Sequence, residues 1–246
     1  MLFLDRDHAA LKRLPRTRAH DGVRTVQPLS TSPDRPTIAV GFFDLAGYTT
    51  LTAVHGDDSA ADVAERFCAL VRGALTEGDE LIKSIGDGVL VVSTSAAGLA
   101  ALAHGVCAAL DAEPAFPVLR VGLHLGPVVR RSGDVFGGTV NAAARVAALA
   151  AGGQVLASDA LVAQLAGSYR TRPLGPVVLR GLPEPVVLHD LELCPAPHER
   201  LLDLVCGMAL LPGAVIGQLR NEDGMVVFCS AGCLQQYLSS APAQGS

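Results

Sequence analysis

The sequence predicts an α+β protein with a ferredoxin-like βαββαβ core, followed by a small C-terminal module that contains cysteines. From residue 37 onward, apolar runs and helical patterns alternate in the order β-α-β-β-α-β, which is the split βαβ plan. Half of the 246 residues are hydrophobic, which is enough for a substantial core. Four of the six cysteines lie from residue 194 onward, and this clustering indicates a separate C-terminal unit.

Each predicted element rests on an apolar run or a helical pattern bounded by caps and turn residues. Asp58 or Ser59 can cap the first helix, and Ser95 can cap the second. Gly86-Asp87-Gly88 is a hairpin turn signal, and Gly181-Leu182-Pro183 predicts a final hairpin. The predicted strands are 37–43, 81–85, 89–93, 118–125, 154–157, 177–180 and 186–193, and the predicted helices are 59–76, 96–110, 139–150 and 158–165.

The domain boundaries follow from proline content and from length. Residues 1–36 hold four prolines and little periodicity, so they are predicted to be an irregular leader before a domain at 37–193. Residues 194–200 form a linker with two prolines. Residues 201–240 are too few for a strong core alone, which favours a metal to stabilise them, and 241–246 are expected to be a disordered tail.

Composition bounds the partners and the compartment. The net charge of −5 gives no general attraction to nucleic acid or to an anionic membrane, so we expect neither as a partner. The chain has no apolar stretch of the length that spans a bilayer, and it lacks the pattern of a signal peptide. A cytoplasmic location is therefore expected, with the cysteines present as free thiols or metal ligands rather than disulfides.

Two aspartates are brought together by the predicted topology. Asp44 ends the first strand and Asp87 lies at the tip of the hairpin. In a βαββαβ sheet the first and third strands are antiparallel neighbours, so both carboxylates lie at one sheet edge. Close carboxylates repel unless a cation lies between them, and oxygen ligands suit Mg²⁺ or Mn²⁺. Gly47, just after Asp44, allows backbone N–H groups to approach an anion, although a plain tight turn explains this loop as well.

At these residues the sequence resembles the class III adenylyl and guanylyl cyclases. FFDLAGYT is similar to the family's first metal motif, and KSIGDG to its second. The segment LRVGLHLGPVVRRSGDVFGGTVNAAAR resembles its substrate and transition-state motifs in order. LGPVVLRGLPEPVVLHDL resembles its final strands, so the likeness covers residues 37–193.

The resemblance implies a metal site and a phosphate loop. Asp44 and Asp87 would bind two Mg²⁺ or Mn²⁺ ions, with help from the backbone carbonyl of Leu45. The loop that follows would contact the nucleotide through Ala46, Gly47, Tyr48 and Thr49.

The resemblance also implies base-reading and transition-state residues. Lys83 would donate to adenine N1 and Asp134 would accept from the adenine amino group, a pattern that rejects guanine. Asn141 would orient the ribose, and Arg145 would neutralise charge on the phosphate. The implied activity is conversion of ATP to cyclic AMP and pyrophosphate. Lys83 and Asp134 disfavour the alternative of a guanylate cyclase, and the complete residue set disfavours an inert, metal-responsive binding protein.

Family members of this kind form each site between two subunits, so the resemblance implies a homodimer with shared sites. Two departures bear on this expectation. The stretch between Gly126 and Asp134 is short, which reduces the arm that embraces the partner. Leu182 stands where some relatives carry a lysine that contacts phosphate, with Arg180 nearby.

The C-terminal cysteines have the spacing of a metal-binding module. Cys206, Cys229 and Cys233 follow the pattern C-x22-C-x3-C, which resembles YHS or TRASH-type domains. Three thiolates favour Zn²⁺ or Cu⁺. A small fold with buried thiols and no metal is the alternative. Sequence does not reveal a fourth ligand, for which Cys194 and His198 are the candidates.

Overall fold

The computed structural model describes residues 35–182, 184–193, 200–221 and 224–240, and these belong to one compact unit that begins at Arg35. The predicted leader up to residue 34, the tail 241–246 and linker residues 194–199 lie outside the described residues. Cys194 and His198, the candidates for a fourth ligand, therefore lie outside them as well.

Short strands and five α-helices make up the described part of the chain. The strands are β1 (Thr37–Leu45), β2 (Asp79–Ile85), β3 (Gly88–Ser93), β4 (Ala115–Pro117), β5 (Leu119–Pro127), β6 (Val129–Arg131), β7 (Asp134–Phe136), β8 (Val155–Ser158), β9 (Thr171–Val177), β10 (Val186–Leu191), β11 (Leu201–Leu202), β12 (Met208–Leu210), β13 (Gly217–Asn221) and β14 (Gly224–Phe228). The helices are α1 (Tyr48–Ala74), α2 (Ala96–Asp111), α3 (Gly138–Leu149), α4 (Asp159–Val162) and α5 (Ala231–Ser240).

A seven-stranded sheet in the order β2-β3-β1-β5-β8-β10-β9 forms the centre of the fold, which confirms the predicted α+β class. Only β5 and β8 pair in parallel within it. Alternate residues of β1 point to opposite faces, as the period of a strand requires. Phe43 and Leu45 join the larger core with α1 and α2, whereas Val40 lies on the face covered by α3.

Helix α3 packs very closely on the sheet, and Gly122 of β5 makes this approach feasible. A Cβ atom at Gly122 would lie 2.0 Å from the backbone nitrogen of Ala147 and 2.6 Å from the carbonyl oxygen of Ala143. Glycine therefore sets the height of the helix above the strand.

The C-terminal residues are hydrogen-bonded to the larger domain. Strand β12 pairs with β4 on one side and β11 on the other, with Ala209 opposite Phe116. The guanidinium of Arg200 donates to the carbonyl oxygens of Leu110 and Glu113 at the end of α2. The hairpin of β13 and β14 and helix α5 complete this part.

Two predicted elements differ most from the structure. Helix α1 begins at Tyr48 rather than at residue 59. It includes an additional segment before Gly56, where φ is +84° and the helix is interrupted. Strand β9 covers 171–177 rather than 177–180. It contains Pro173 and Pro176, which weaken a strand prediction but are tolerated here because β9 is the edge of the sheet.

The expectation of free thiols is wrong for Cys107, which is disulfide-bonded. Compartment statistics describe typical chains and do not decide which sulfur atoms a particular fold brings together. Cys68, Cys206, Cys229 and Cys233 are free. None of the helices among the described residues is both long enough and apolar enough to cross a membrane.

Candidate active site and cysteine cluster

The two predicted metal-binding aspartates lie together at the end of β1. Asp44 is in register with Gly88 of β3, the residue that follows Asp87. Arg120 of β5 is opposite Asp44 on the other side, and its Nε donates to Oδ2 of Asp44 at 2.5 Å. Burial, followed by the neighbouring Asp44 carboxylate, raises the pKa of Asp87 above its ordinary value. The site thus concentrates negative charge that a cation would stabilise.

The predicted phosphate loop joins β1 to the start of α1. The Leu45 side chain is buried, and the N–H of Ala46 donates to the carbonyl of Val118 at 2.8 Å. Gly47 has a φ of +81° and precedes the first helical residue, and no side chain caps this helix end. The first N–H groups of α1, starting at Tyr48 and Thr49, are therefore oriented as an anion-binding terminus.

The Tyr48 side chain does not serve this loop. Its hydroxyl donates to the carbonyl oxygen of Ala60 at 2.8 Å, and its ring packs against the larger core. Burial, with smaller effects from the carboxylates of Asp87 and Asp57, raises the pKa of this phenol. Tyr48 can thus contribute its backbone N–H to the loop while its side chain holds the first turns of α1 in place.

Lys83 and Asp134, the predicted base-reading pair, are in direct contact. Nζ of Lys83 lies 2.6 Å from Oδ2 of Asp134, and this hydrogen bond lowers the pKa of Asp134. The lysine also lies 6.0 Å from the ring centroid of Phe136. Both charged side chains are partly exposed, and solvent screening leaves such pairs with little effect on stability.

The predicted ribose and phosphate residues share helix α3. Asn141 is exposed near the start of this helix, and Arg145 is one turn later and half-buried. A terminal guanidinium nitrogen of Arg145 lies 3.4 Å from the position of a Cβ at Gly181, in the segment between β9 and β10. Leu182 packs against the apolar cluster around Val146.

A cavity of about 240 Å³ lies between the sheet and α3 beside these groups. Asp44 and Arg120 line it on the sheet side, Ile85 on the hairpin and Ala144 on the helix. Asp44 thus opens toward the face of the sheet that α3 covers.

The three C-terminal cysteines predicted as metal ligands also converge. The sulfur of Cys229 lies 3.5 Å from those of Cys206 and Cys233. Hydrogen bonding to Cys206, together with burial, raises the pKa of the Cys229 thiol, and burial raises that of Cys233 to about 12. Thiols so close to one another resist ionisation unless a cation shares the charge.

Sequence reasoning did not find three residues at these sites. Arg120 pairs with Asp44 from a neighbouring strand, and only strand register identifies it. His55 lies beside the cysteines but is 174 residues from Cys229 along the chain, so no spacing pattern connects them. Asp203 is fully buried, and its carboxylate accepts the backbone N–H groups of Val205 and Cys229. A DxxC pattern before the first cysteine was the available signal.

Comparison with known proteins agrees with this fold. Residues 31–192 match the family described as adenylate and guanylate cyclase catalytic domain. An uncharacterised protein of Mycobacterium tuberculosis is 35% identical over 164 residues, which are 66% of this chain and 43% of that protein. An adenylate cyclase of Streptomyces coelicolor is 35% identical over 136 residues, 55% of this chain and 35% of that protein.

A pH-sensitive adenylate cyclase of M. tuberculosis is 34% identical over 155 residues, 61% of this chain and 39% of that protein. Among solved structures, an adenylate cyclase of Trypanosoma brucei in its monomeric state superposes with a TM-score of 0.61 at 23% identity. The match covers 67% of this chain and 92% of that one. An adenylyl cyclase of P. aeruginosa superposes with a TM-score of 0.55 at 19% identity, and the match covers 64% of this chain and 94% of that one. These two structures show the fold.

The chain therefore belongs to the adenylate and guanylate cyclase catalytic-domain family. It spans less than half the length of the curated relatives described above.

Proposed function

We propose that this protein is an adenylate cyclase that converts ATP to 3′,5′-cyclic AMP and pyrophosphate. The observation that carries the proposal is the placement of Asp44 near the end of β1, beside Asp87 in the turn before the antiparallel strand β3, next to the uncapped start of α1. Two carboxylates beside an anion-binding helix terminus suit a triphosphate with divalent cations.

The carboxylates fit a metal site because burial and mutual repulsion already raise the pKa of Asp87. Asp44 and Asp87, with the carbonyl oxygen of Leu45, would hold two Mg²⁺ or Mn²⁺ ions, which when bound promote ionisation of the ribose 3′-hydroxyl and screen the triphosphate. Arg120 donates a hydrogen bond to Asp44, which orients this carboxylate.

The remaining steps belong to residues of the chain. The backbone N–H groups at Gly47, Tyr48 and Thr49 bind the terminal phosphates. Asn141 orients the ribose so that its 3′-oxygen lies in line with the α-phosphorus. The hydroxyl proton passes to solvent water, the new bond forms from this oxygen to phosphorus, and the bond to the pyrophosphate oxygen breaks. Arg145 stabilises the negative charge that is redistributed over the phosphate oxygens.

Substrate choice rests on Lys83 and Asp134. In contact, they present a donor and an acceptor side by side, which complements N1 and the amino group of adenine. Guanine offers a donor and an acceptor in the opposite order and would leave both groups unpaired.

A homodimer with shared sites is part of the proposal. Large apolar side chains are exposed on the elements that carry site residues: Ile85 is 57% exposed beside Asp87, and Phe136 is 48% exposed beside Asp134. Exposed apolar side chains next to functional groups are typical of an interface. One chain would supply the aspartates, and the other would supply the base-reading pair and Arg145.

The test is an assay of the purified full-length protein with ATP or GTP, in Mg²⁺ or Mn²⁺, with both cyclic products quantified. Cyclic AMP should form from ATP, and Asp44→Ala or Asp87→Ala should abolish it while circular dichroism remains unchanged. Asp62→Ala, which removes an exposed acid of α1, is the matched control and should keep full activity. A larger yield of cyclic GMP would establish the guanylate cyclase instead, and normal turnover in Asp44→Ala would refute the metal assignment.

A further inference from the structure

Four metal-ligating atoms meet between the C-terminal residues and helix α1. The sulfurs of Cys206, Cys229 and Cys233 and Nε2 of His55 all lie within 4.8 Å of one another. Nε2 of His55 is 3.5 Å from the sulfur of Cys229 and 3.6 Å from that of Cys233. The imidazole thus closes a group of three thiols that the C-terminal residues leave incomplete.

Four of the six separations between these atoms, at 3.5–3.6 Å, are those of a tetrahedral metal site. Zinc bonds of about 2.3 Å to sulfur and 2.0–2.1 Å to nitrogen place neighbouring ligand atoms about 3.5–3.8 Å apart. A disulfide would need about 2.05 Å between sulfurs, so the 3.5 Å separations of Cys229 from its two neighbours do not represent a covalent bond. Three thiolates and one imidazole form a closed set, which favours Zn²⁺ over an ion that leaves a position open for substrate.

The backbone around the cluster is organised for ligation. The buried Asp203 accepts N–H groups from Val205 and Cys229 at 2.8 Å each, which holds the turn of Cys206 and the end of β14 together. The hydroxyl of Ser230 accepts the N–H of Cys233 at 3.1 Å, at the start of α5. Both Cys206 and Cys233 are fully buried. These hydrogen bonds therefore hold the turn of Cys206, the end of β14 and the start of α5 so that the three sulfur atoms lie close together.

His55 connects the cysteine cluster to the candidate phosphate loop. It lies in the first part of α1, between the candidate phosphate loop at Gly47 and the interruption of the helix at Gly56. The turn of Cys206 also touches the loop itself: the carbonyl oxygen of Cys206 lies 3.3 Å from the position of a Cβ at Gly47, and the Cα of Gly207 lies 3.7 Å from it. A metal ion bound here would hold residues 47–55 from both ends.

We propose that His55, Cys206, Cys229 and Cys233 form a Zn²⁺ site that joins the C-terminal residues to the first segment of α1. Occupancy of this site fixes the segment that begins with the phosphate loop. Control of cyclase turnover by Zn²⁺ then follows, and this consequence rests on the proposed function. Zn²⁺ binding and the ordering of the segment do not depend on the proposed function.

Zinc binding to the full-length protein is measured by competition with a chromogenic chelator. The coordination geometry is measured from the absorption spectrum of the Co²⁺-substituted protein. One Zn²⁺ per chain and a tetrahedral, thiolate-rich Co²⁺ spectrum are expected. His55→Ala should weaken Zn²⁺ binding by about 100-fold or more, since even lost partners of ligands cost about 10–100-fold. His55→Cys should restore tight Zn²⁺ binding, because it supplies a fourth sulfur ligand. Its recovery would also show that the loss in His55→Ala is not a folding defect.

Two controls separate ligation from general damage. His189→Ala removes a histidine that pairs with Asp159, and Cys68→Ser removes a free thiol of α1 outside the cluster. Both should bind Zn²⁺ like the parent protein. Equal affinity and identical Co²⁺ spectra for His55→Ala and the parent would overturn the proposal. So would binding of Cu⁺ alone, unaffected by His55→Ala, since that result indicates a three-thiolate site.

Coupling is measured by hydrogen exchange of the amides in residues 47–58, without nucleotide. Saturating Zn²⁺ should slow exchange in the parent and in His55→Cys, but not in His55→Ala. Unchanged exchange in the parent would overturn the link to α1. Because neither binding nor exchange requires turnover, an inactive protein that passes both tests would contradict the proposed function and leave the zinc site established. Turnover of ATP should respond to Zn²⁺ in the parent and not in His55→Ala, and an equal response in both would overturn the control by this site.

Discussion

Replacing Gly122 with alanine tests how closely α3 must approach the sheet. The added Cβ would lie 2.0 Å from the backbone nitrogen and 2.5 Å from the Cα of Ala147. Ordinary contact begins at 3.4 Å, so the helix must retreat by about 1.4 Å or the strand must bend. Backbone atoms cannot turn aside as a flexible side chain can, so this strain is not easily relieved.

Two magnitudes follow from this displacement. Overpacking of a core typically costs about 1–3 kcal/mol, and a clash with helix backbone belongs at the upper end, about 3 kcal/mol. For a protein of this size the melting temperature should fall by about 6–12 °C. Helix α3 carries Asn141 and Arg145, and misplacement of such groups by about 1 Å costs about 100-fold in rate.

The assay pairs thermal unfolding with turnover of ATP at a temperature where the variant remains folded. Gly105→Ala is the control: its Cβ would meet only the Ala74 Cβ at 3.7 Å, and it should raise stability by about 0.4–1 kcal/mol. If Gly122→Ala melts within a degree of the parent and turns over normally, then α3 is not held by the close contact that we describe.

Two further predictions concern the dimer and a helix cap. Asp44→Ala and Arg145→Ala should each be inactive, but a mixture that exchanges subunits should recover about a quarter of the parent activity, since half of the dimers then hold one intact site; demonstrated exchange with no recovery would contradict shared sites. Ser95→Ala should lower the free energy of unfolding in urea by about 1 kcal/mol, because the Ser95 hydroxyl accepts the N–H of Gly98 at 2.9 Å. The control is Ser59→Ala, an exposed change within α1, which should leave that free energy almost unchanged.

The sheet and the aspartate pair could be predicted because both depend on local patterns and one topological rule. Strand order in a βαββαβ sheet places the first strand beside the third, and the register of Asp44 with Gly88 confirms it. The cap at Ser95 was also predictable, since its hydroxyl serves a residue three positions later. In these cases the interacting groups lie near each other in sequence or are related by strand pairing.

The start of α1 could not be predicted in the same way. Three of its first five residues are threonines, which have weak helix propensity, and Gly56 interrupts the pattern. The turn N-terminal to Gly56 remains in place through tertiary contacts, namely the hydrogen bond from Tyr48 to Ala60 and the packing of Val54 on the C-terminal cluster. Local propensity does not contain these contacts.

In the cysteine cluster, too, one part could be predicted from the sequence and another could not. The spacing of Cys206, Cys229 and Cys233 predicts their convergence, because they come from adjoining turns. His55 lies beside them through packing between α1 and the C-terminal residues, and its ligand role is visible only in three dimensions. Cys194 and His198, the fourth-ligand candidates that the sequence offers, lie outside the described residues, so they stay a prediction.

The pairing of β12 with β4 changes how a deletion of the C-terminal residues would have to be interpreted. Removal of residues 201–240 would strip strand Ala115–Pro117 of its partner and uncover Phe116, which is 4% exposed in the intact chain. An unpaired apolar edge invites association between copies. A shortened protein would then lose activity through aggregation, whatever the metal does. Point substitutions at the ligands leave this edge covered, so they can separate signalling by the metal from simple loss of solubility.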